Sequence, residues 1–404
     1  MKKYLVIFLV FGAIFSQVSA MTWDEVITHA SQRSNDIKSA QKQLEAYRWN
    51  YYKSYSSFLP QMSASYSQGG LFVSSEASYS YGLSVTQNIF SGLSNYYENR
   101  SAAVTLDYYQ SSLQSTRASL YYTLREAFIN LFVAQENIKV QNQIKVMREK
   151  NLRMIQLFYE SGKEDRGTLM RTQAQLDEAN FNLTSAKRQL EIARLKLSQI
   201  IENDIASAEG KMDYSLTLMP DVDNLSKSSP VYRMAKNSYD LADISQKATW
   251  SEFLPTVSLS GSYQKSGNNW PPSTSSKSVS LNVSYAFFPG GSNFADRAVQ
   301  SYLLDKARED FYKAEKDIFY TIEKAYIDYR DAIDAFKLKN TYLSASKERA
   351  NIAQLKYLNG LTNYYEWDQI QNEFINNQIG VLNYQKSALL AEASWYKSYG
   401  GWVE

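Results

Sequence analysis

Alternation of polar and apolar residues marks four short stretches of the chain. In residues 256–263, Ser and Thr alternate with Val, Leu and Tyr, and residues 79–86 show a matching alternation. A period of two is typical of β-strands that have one polar and one apolar face. The predicted strands cover about residues 61–67, 79–90, 256–264 and 279–288, and hairpin loops are predicted at 68–78 and 264–278.

Two much longer segments lack helix breakers. Residues 93–160 and 292–358 contain no proline. We predict that each is a single helix of about 65 residues, which would be roughly 100 Å long at about 1.5 Å per residue. A helix of that length exceeds the diameter of a domain of this size, so both helices are predicted to project.

A Phe-Leu-Pro sequence precedes the first strand of each half. Pro60 and Pro255 end the helices predicted over residues 22–57 and 230–252, because a proline disfavours helical conformation in the residue before it. Each proline is therefore predicted to mark a helix-to-strand junction.

Heptad repeats run along the helices predicted over residues 166–202 and 363–399. In the first helix, leucine recurs at every seventh residue from Leu169 to Leu197. In the second helix, the same register holds Trp367, Phe374, Val381, Ala388 and Trp395. This is the pattern of a coiled-coil seam, so we assign these side chains to core packing and not to chemistry.

The same order of elements occurs twice. Phe-Leu-Pro recurs after 195 residues, and Tyr159-x-x-Gly162 recurs after 198 residues as Tyr357-x-x-Gly360. Such repetition indicates an internal duplication. We predict a mainly α fold with a small β portion, built from two tandem repeats of helix, strand, strand, long helix and helix. The repeats cover residues 21–202 and 230–404, and an irregular linker at 203–229 joins them.

The first 20 residues have the composition of a secretory signal peptide. Lys2 and Lys3 precede an apolar run over residues 4–15, and Val18-Ser19-Ala20 is a small-residue cleavage site. We predict cleavage after Ala20 and export of the chain. The absence of cysteine argues against a lipid anchor at this site.

Composition excludes several functional classes. The 43 basic and 41 acidic residues nearly cancel, whereas nucleic-acid binders concentrate basic residues. The chain has no cysteine and one histidine, His29, so a thiolate zinc site and a multi-His metal site are excluded. We interpret His29 as a solvated residue on a helix, which leaves a His-based triad without its base. No glycine-rich phosphate loop is present. We therefore predict no enzyme activity, no cofactor, no metal site and no nucleic-acid partner.

Two interpretations of the strands are open: a sheet with one face on a protein core, or a transmembrane barrel that is apolar toward lipid and polar toward a water-filled lumen. Export, the Ser- and Thr-rich polar set and the aromatic residues at the strand ends favour the barrel. Four strands cannot close a barrel alone, so closure must come from other chains, and three copies would give 12 strands. The predicted lumen-facing residues are Ser80, Ser84, Thr86, Ser258, Ser260, Ser280, Asn282 and Ser284.

In the order and spacing of these motifs, the chain resembles the outer-membrane efflux protein family, the TolC-like proteins. The resemblance rests on the two Phe-Leu-Pro junctions, the two Tyr-x-x-Gly turns, and the strand exits Phe90-Ser-Gly92 and Phe288-Pro-Gly290. It implies a homotrimer in outer-membrane lipid whose 12-stranded β-barrel continues into a periplasmic α-helical barrel. It also implies an exit channel of a tripartite efflux or type I secretion system, with a periplasmic adaptor (membrane fusion) protein and an inner-membrane pump of the RND or ABC type.

The resemblance also assigns a role to the two helix turns. It implies that the periplasmic tip, the closed end of the pore, is formed by Tyr159, Gly162, Tyr357 and Gly360. The family often places an acidic residue six positions after the tip glycine. Glu366 has that position in the second repeat, whereas the first repeat has Thr168.

A latch at the tip is implied for Tyr357, which matches a tyrosine with that role in the family. Thr168 stands where its acidic partner would be, and Glu164, Asp165 and Arg166 are the available substitutes. The predicted pore constriction therefore comprises Glu164, Asp165, Arg166, Thr168 and Glu366, and we expect it to favour cations.

A second interpretation of the whole chain is an exported coiled-coil scaffold or adaptor-type interaction protein whose hairpins pair with a partner's sheet. It accounts for the heptads, but not for polar-faced strands with aromatic residues at their ends. An outer-membrane hydrolase is disfavoured, because serine without a usable histidine lacks a general base.

Overall fold

The computed structural model of the protein describes residues 19–70, 77–210 and 221–401. Most of the predicted signal peptide therefore lies outside the described residues, as does Pro220 of the predicted linker. The chain divides into two compact units. Unit 1 holds residues 1–35, 118–219 and 324–402, and unit 2 holds residues 36–117, 220–323 and 403–404.

Helices dominate the described chain and strands form a small part of it. In chain order the elements are β1 Ser19–Met21, α1 Trp23–Arg33, α2 Asn35–Ser54, β2 Gln61–Gly69, β3 Ser78–Ser91, α3 Ser94–Glu160, α4 Arg166–Ile201, β4 Ile205–Ala208, α5 Val222–Ser228, α6 Pro230–Ala248, β5 Thr256–Gly267, β6 Thr274–Ser284, α7 Ser292–Leu358 and α8 Tyr364–Tyr399. The predicted fold class, mainly α with a small β portion in two tandem repeats, is confirmed.

The leading helices differ from the prediction. Residues 22–57 do not form one helix, because Ser34 leaves the helical region (φ −51°, ψ 124°) and separates α1 from α2. A 3-10 turn at Tyr55–Phe58 follows α2, and another at Thr249–Phe253 follows α6. Each leading helix therefore ends in a tighter 3-10 turn, which extends to the phenylalanine of Phe-Leu-Pro.

The sequence predicted an irregular linker at 203–229, but parts of this segment form regular structure. β4 pairs in parallel with β1, which lies far away in sequence. α5 begins at an N-cap, Asp221, whose side chain accepts hydrogen bonds from the backbone N–H groups of Asp223 and Asn224. A side-chain oxygen at that position satisfies N–H groups that the helix itself leaves unpaired.

Unit 2 contains an antiparallel sheet with the strand order β2-β3-β5-β6. The pairing of β3 with β5 joins the two repeats within this sheet. β5 and β6 continue their pairing up to Ser266 and Thr274, so the predicted loop at 264–278 is largely strand. At the other end Thr256, the first residue of β5, pairs with Ser284, so residues 285–288 find no partner strand there and lie outside β6.

Only part of the heptad series in unit 1 lies in its buried core. Trp367 and Trp395 in α8 are buried, and so are Ala179 and Ala186 in α4. Among the leucines of the first heptad series, Leu169 is only half-buried, whereas Leu197 is fully buried. In the described part of the chain, no helix has the length and apolar character needed to cross a bilayer.

Candidate functional site

The turns that join α3 to α4 and α7 to α8 in unit 1 share one backbone geometry. Gly162 and Gly360 have φ values of 72° and 71°. The N–H of Gly162 donates to the carbonyl of Tyr159 at 3.0 Å, and that of Gly360 donates to the carbonyl of Tyr357 at 3.1 Å. A left-handed residue after a helix favours glycine because it has no Cβ, which explains both glycines.

The helix that follows each turn begins with a side-chain cap. The carboxylate of Asp165 accepts a hydrogen bond from the N–H of Thr168 at 2.8 Å. Asn363 does the same for the N–H of Glu366, also at 2.8 Å. Two residues of the predicted constriction, Asp165 and Thr168, are therefore engaged in starting α4.

Glu366 and Arg166 are both exposed at the beginnings of their helices. The carboxylate of Glu366 accepts a hydrogen bond from the Thr362 hydroxyl at 2.6 Å. Glu366 is therefore held within its own turn, and its negative charge remains accessible to solvent.

Tyr357 links the two turns. Its hydroxyl donates to the Glu164 carboxylate at 2.7 Å, and its side chain is only 2% exposed. Burial, and then the hydrogen bond to Glu164, raises the pKa of Tyr357 far above its usual value. Hydrogen bonds to a charged acceptor are stronger than neutral ones. Of the substitutes that the sequence left open for Thr168, Glu164 is the one that contacts Tyr357.

An aromatic cluster supports this hydrogen bond. The Tyr357 ring stacks on Trp367 with centroids 4.8 Å apart and an interplanar angle of 10°. Phe158 packs edge-on against Tyr357 at 5.7 Å, and Lys163 lies 4.2 Å from the Phe158 ring. Tyr357 is therefore fixed in orientation by the core around it. Tyr159, its equivalent in the first repeat, is 40% exposed.

A buried ion cluster, which we call the Asp368 cluster, lies between the two helix pairs. Asp368 in α8 is 1% exposed and forms ion pairs with Arg171 in α4 at 2.9 Å and Arg148 in α3 at 3.6 Å. Gln175 donates to the same carboxylate at 2.9 Å. Burial lowers the pKa of Arg148, and the charge of Asp368 opposes this shift.

Sequence reasoning missed the Asp368 cluster because it considered only the side chains at the heptad positions of the two helices and not the charged residues beside them. One signal was available: Asp368 directly follows the core residue Trp367 in α8. Arg148 also donates to Asn372 in the next turn of α8, so two turns of that helix are tied to α3. Together with Tyr357 and Glu164, these contacts hold α7 and α8 to α3 and α4.

The sheet of unit 2 has a continuous polar face. Cross-strand partners share a face, and the register aligns Thr86 with Ser260 and Ser280, and Asn88 with Ser258 and Asn282. The same face holds the other residues that the sequence singled out, namely Ser80, Ser84 and Ser284. That this face lines a lumen remains a prediction.

Hydroxyl groups are paired across this polar face. Ser63 and Ser84 are 2.7 Å apart, Ser67 and Ser80 are 2.7 Å apart, and Ser262 and Ser278 are 2.8 Å apart. Asn282 donates to Ser260 at 3.3 Å. Each of these serines has a side-chain partner on the neighbouring strand and can still present lone pairs to water.

The opposite face of the sheet is apolar and exposed. Val279 is 81% exposed, Leu281 65% and Leu83 61%. Contiguous apolar surface of this kind is unusual on a soluble monomer and indicates contact with lipid or protein.

The two prolines lie where the chain passes from helix to strand. The residues before them, Leu59 and Leu254, are extended, with ψ values of 153° and 149°. This is the conformation that a following proline favours. Phe58 and Trp250 beside the junctions are 47% and 48% exposed.

In the described residues, no group of three or more His, Cys, Asp or Glu side chains is placed to hold a metal ion. The geometry instead offers a segregated sheet in unit 2 and hydrogen-bonded and ionic contacts between helix pairs in unit 1.

Comparison with known proteins gives a family and a fold. The family described as outer membrane efflux protein matches residues 26–202 and 222–401. No curated protein sequence matches the chain. Three similar crystal structures are CusC (14% identity, TM-score 0.86), the open state of the Neisseria gonorrhoeae MtrE outer membrane channel (19%, 0.83) and the Vibrio cholerae outer membrane protein VceC (15%, 0.81). Each covers 94% of this chain, and the matches cover 92%, 89% and 96% of those chains.

Proposed function

Because this chain belongs to the outer membrane efflux protein family, we propose that it is the exit channel of a tripartite efflux or type I secretion system. The protein is located in the bacterial outer membrane, as its family is. In this proposal three copies form the channel, the helices extend into the periplasm, and substrate passes without chemical change.

The segregation of the two sheet faces is the observation that carries the proposal. One face consists mainly of Ser, Thr and Asn residues that are aligned across the strands, and the other face exposes Leu and Val. A membrane barrel needs this alternation, because one face meets lipid and the other meets water. The sheet has two edge strands, β2 and β6, which hydrocarbon would not tolerate unpaired. Pairing of β6 with β2 of the next copy would close a barrel of 12 strands.

The contacts between the helix pairs in unit 1 support a gate. Tyr357 and Glu164, with the Asp368 cluster, hold the second helix pair to the first. Opening of the channel would separate these pairs, so it must break a charge-assisted hydrogen bond and expose a buried carboxylate. We propose that an adaptor protein and an inner-membrane pump supply the free energy for this step, and that the channel itself performs no catalysis.

Glu366 remains the proposed acidic residue of the constriction. It is exposed, whereas Glu164 is engaged with Tyr357 and Asp165 caps α4. A ring of three Glu366 carboxylates in a trimer would favour cations. The measurement is the reversal potential of single channels in a salt gradient, in which Glu366→Gln should lower cation selectivity. Unchanged selectivity and conductance would remove Glu366 from the constriction.

The absence of cysteine in the chain permits a direct test of the barrel. Ser260→Cys lies on the polar face and Leu281→Cys on the apolar face of the same sheet. In planar bilayers, a charged thiol reagent that cannot enter lipid should block current through Ser260→Cys and leave Leu281→Cys unaffected.

The same experiment distinguishes the channel from an exported scaffold. Leu281 is exposed in the single chain, so in a soluble scaffold both cysteines would react at similar rates. Equal reaction rates, together with recovery of the protein in the soluble fraction without detergent, would contradict the proposed channel.

A further inference from the structure

Charge is almost absent from the four strands of the sheet in unit 2. As the structure has them, β2, β3, β5 and β6 contain no acidic residue, and their only charged residues are Lys265 in β5 and Lys277 in β6. Two cations on an otherwise uncharged sheet need a reason, because each lowers the stability of a strand placed in hydrocarbon.

Both lysines belong to the apolar face. Lys265 pairs with Tyr81 in β3, and Lys277 pairs with Tyr263 in β5. Val85, Val279 and the other exposed apolar residues of the sheet lie on this same face, whereas the serines of the four strands, Ser275 excepted, lie on the opposite face. Lysines that served only to reach water would be expected on the polar face, where every neighbour is hydrophilic.

The two lysines also lie at the same end of the sheet. β5 ends at Gly267 and β6 begins at Thr274, so both are within a few residues of the hairpin. They are diagonal neighbours, since Lys265 pairs with Ser275 and Lys277 with Tyr263. Diagonal neighbours are roughly 7–8 Å apart at Cα, a distance that two long side chains can bridge around one anionic group.

Aromatic rings surround this end of the apolar face. Trp270, in the turn between β5 and β6, packs against Tyr66, Tyr79 and Tyr81 with centroids 5.9 to 6.0 Å apart. The ammonium group of Lys277 lies 5.8 Å from the Tyr263 ring. Tryptophan and tyrosine collect at the level of lipid headgroups, which sets the depth of the lysines at that level.

We propose that Lys265 and Lys277 form a binding site for the phosphate groups of an anionic lipid headgroup. The inference rests on the proposed function, which turns this face toward lipid. Near the interface a lysine costs far less than at the middle of the bilayer, and phosphate supplies the negative charge that the strands lack. The aromatic rings would pack against the sugar or glycerol part of the headgroup, and the apolar residues of the same face against its acyl chains.

The test uses the full-length protein in detergent and lipid A, a diphosphorylated glycolipid, as the probe. Native mass spectrometry measures how much lipid A the protein retains during titration. Lys265→Gln combined with Lys277→Gln should weaken retention by at least about a hundredfold, as expected when two charge-assisted hydrogen bonds are lost. The control combines Lys313→Gln with Lys316→Gln, two exposed lysines in α7, and removes the same charge without effect on retention.

Two further probes establish what is recognised. Phosphatidylcholine, whose headgroup has no net charge, should be retained equally by all three proteins. Inorganic phosphate in excess should not displace lipid A, because it lacks the acyl chains that the apolar face covers. Equal retention of lipid A by the double variant and the wild type would overturn the inference, and so would displacement by inorganic phosphate.

Channel recordings separate this inference from the proposed function. If all three proteins conduct in phosphatidylcholine bilayers and the double variant still retains lipid A normally, only the lipid site is wrong. If the wild-type protein neither inserts nor conducts, the face does not meet lipid, and both proposals are overturned.

Discussion

The two helix turns of unit 1 have the same backbone and opposite surroundings. Tyr159 is 40% exposed and its equivalent, Tyr357, is 2% exposed. Met170 is 63% exposed, while Asp368 at the equivalent position of the second repeat is 1% exposed. The duplicated motif therefore sets the path of the chain, and the neighbouring helices decide which side chains it buries.

The proposed trimer gives a geometric reason for this difference in burial between equivalent residues. The second helix pair presents Tyr357 and Asp368 to Glu164 and the arginines of the first pair. A head-to-tail arrangement of this kind leaves the outer face of the first pair uncovered until another copy supplies the next contact. Leu157 of α3 is 64% exposed, and we propose that it meets the second helix pair of the neighbouring copy.

Removal of the buried carboxylate should have the largest effect. Asp368→Ala leaves Arg148 buried without its counter-charge, so we expect the free energy of unfolding to fall by about 3–5 kcal/mol. Chemical denaturation monitored by circular dichroism measures this loss. Glu373→Ala is the matched control, because it removes an exposed ion pair with Arg349 and should cost less than about 1 kcal/mol. Similar losses for the two variants would mean that burial does not distinguish them.

Loss of a single hydroxyl should have an intermediate effect, and this effect should differ between the two turns. Tyr357→Phe removes the hydrogen bond to Glu164, and a bond to a charged group contributes about 1.5–3 kcal/mol. We expect higher single-channel conductance in planar bilayers, since the contact between the helix pairs is weakened. Tyr159→Phe removes the hydroxyl of the exposed equivalent and should conduct like the wild type. A larger change in Tyr159→Phe would place the gate at the first turn.

Alanine substitutions of the tip glycines should affect the two turns equally. Gly162 and Gly360 have nearly the same φ, and open space surrounds the Cβ position at both. Each Gly→Ala change should therefore cost about 1 kcal/mol, from the left-handed backbone alone. Thermal unfolding of the two variants measures the comparison. If the losses of stability in the two variants differ several-fold, side-chain contacts around the turn, and not its backbone conformation, determine the loss.

High pH should produce the smallest effect. The pKa of Tyr357 is raised in the folded protein above its ordinary value of 10.0, so the unfolded chain loses this proton first. The stabilisation by Tyr357 is thus complete below pH 10 and declines above it. The difference in unfolding free energy between the wild type and Tyr357→Phe should shrink from pH 9 to pH 11. A constant difference would exclude titration of this hydroxyl.

Local signals made much of the fold predictable. α3, α4, α7 and α8 differ from their predicted ranges by at most one residue at one end. Proline-free runs, heptads and turn glycines act within a few residues, so the sequence alone reveals them. The segregation of the strand faces was predictable for the same reason.

Contacts between distant segments were not predictable in this way. The end of β6 at Ser284 depends on where β5 begins. Glu164 became the partner of Tyr357, and Asp368 became buried, through the packing of helices that are nearly 200 residues apart in sequence. A single sequence contains no pattern that shows which residues, far apart along the chain, will be in contact.

The pairing of β3 with β5 has a consequence for biogenesis. Ser91 pairs with Thr256, so the centre of the sheet closes only after a very long intervening segment has been made and exported. Long-range pairing of this kind slows folding, and until it occurs the β2-β3 hairpin has an open edge and an apolar face in water. The nascent chain would therefore need a holding chaperone for as long as its second half is in transit.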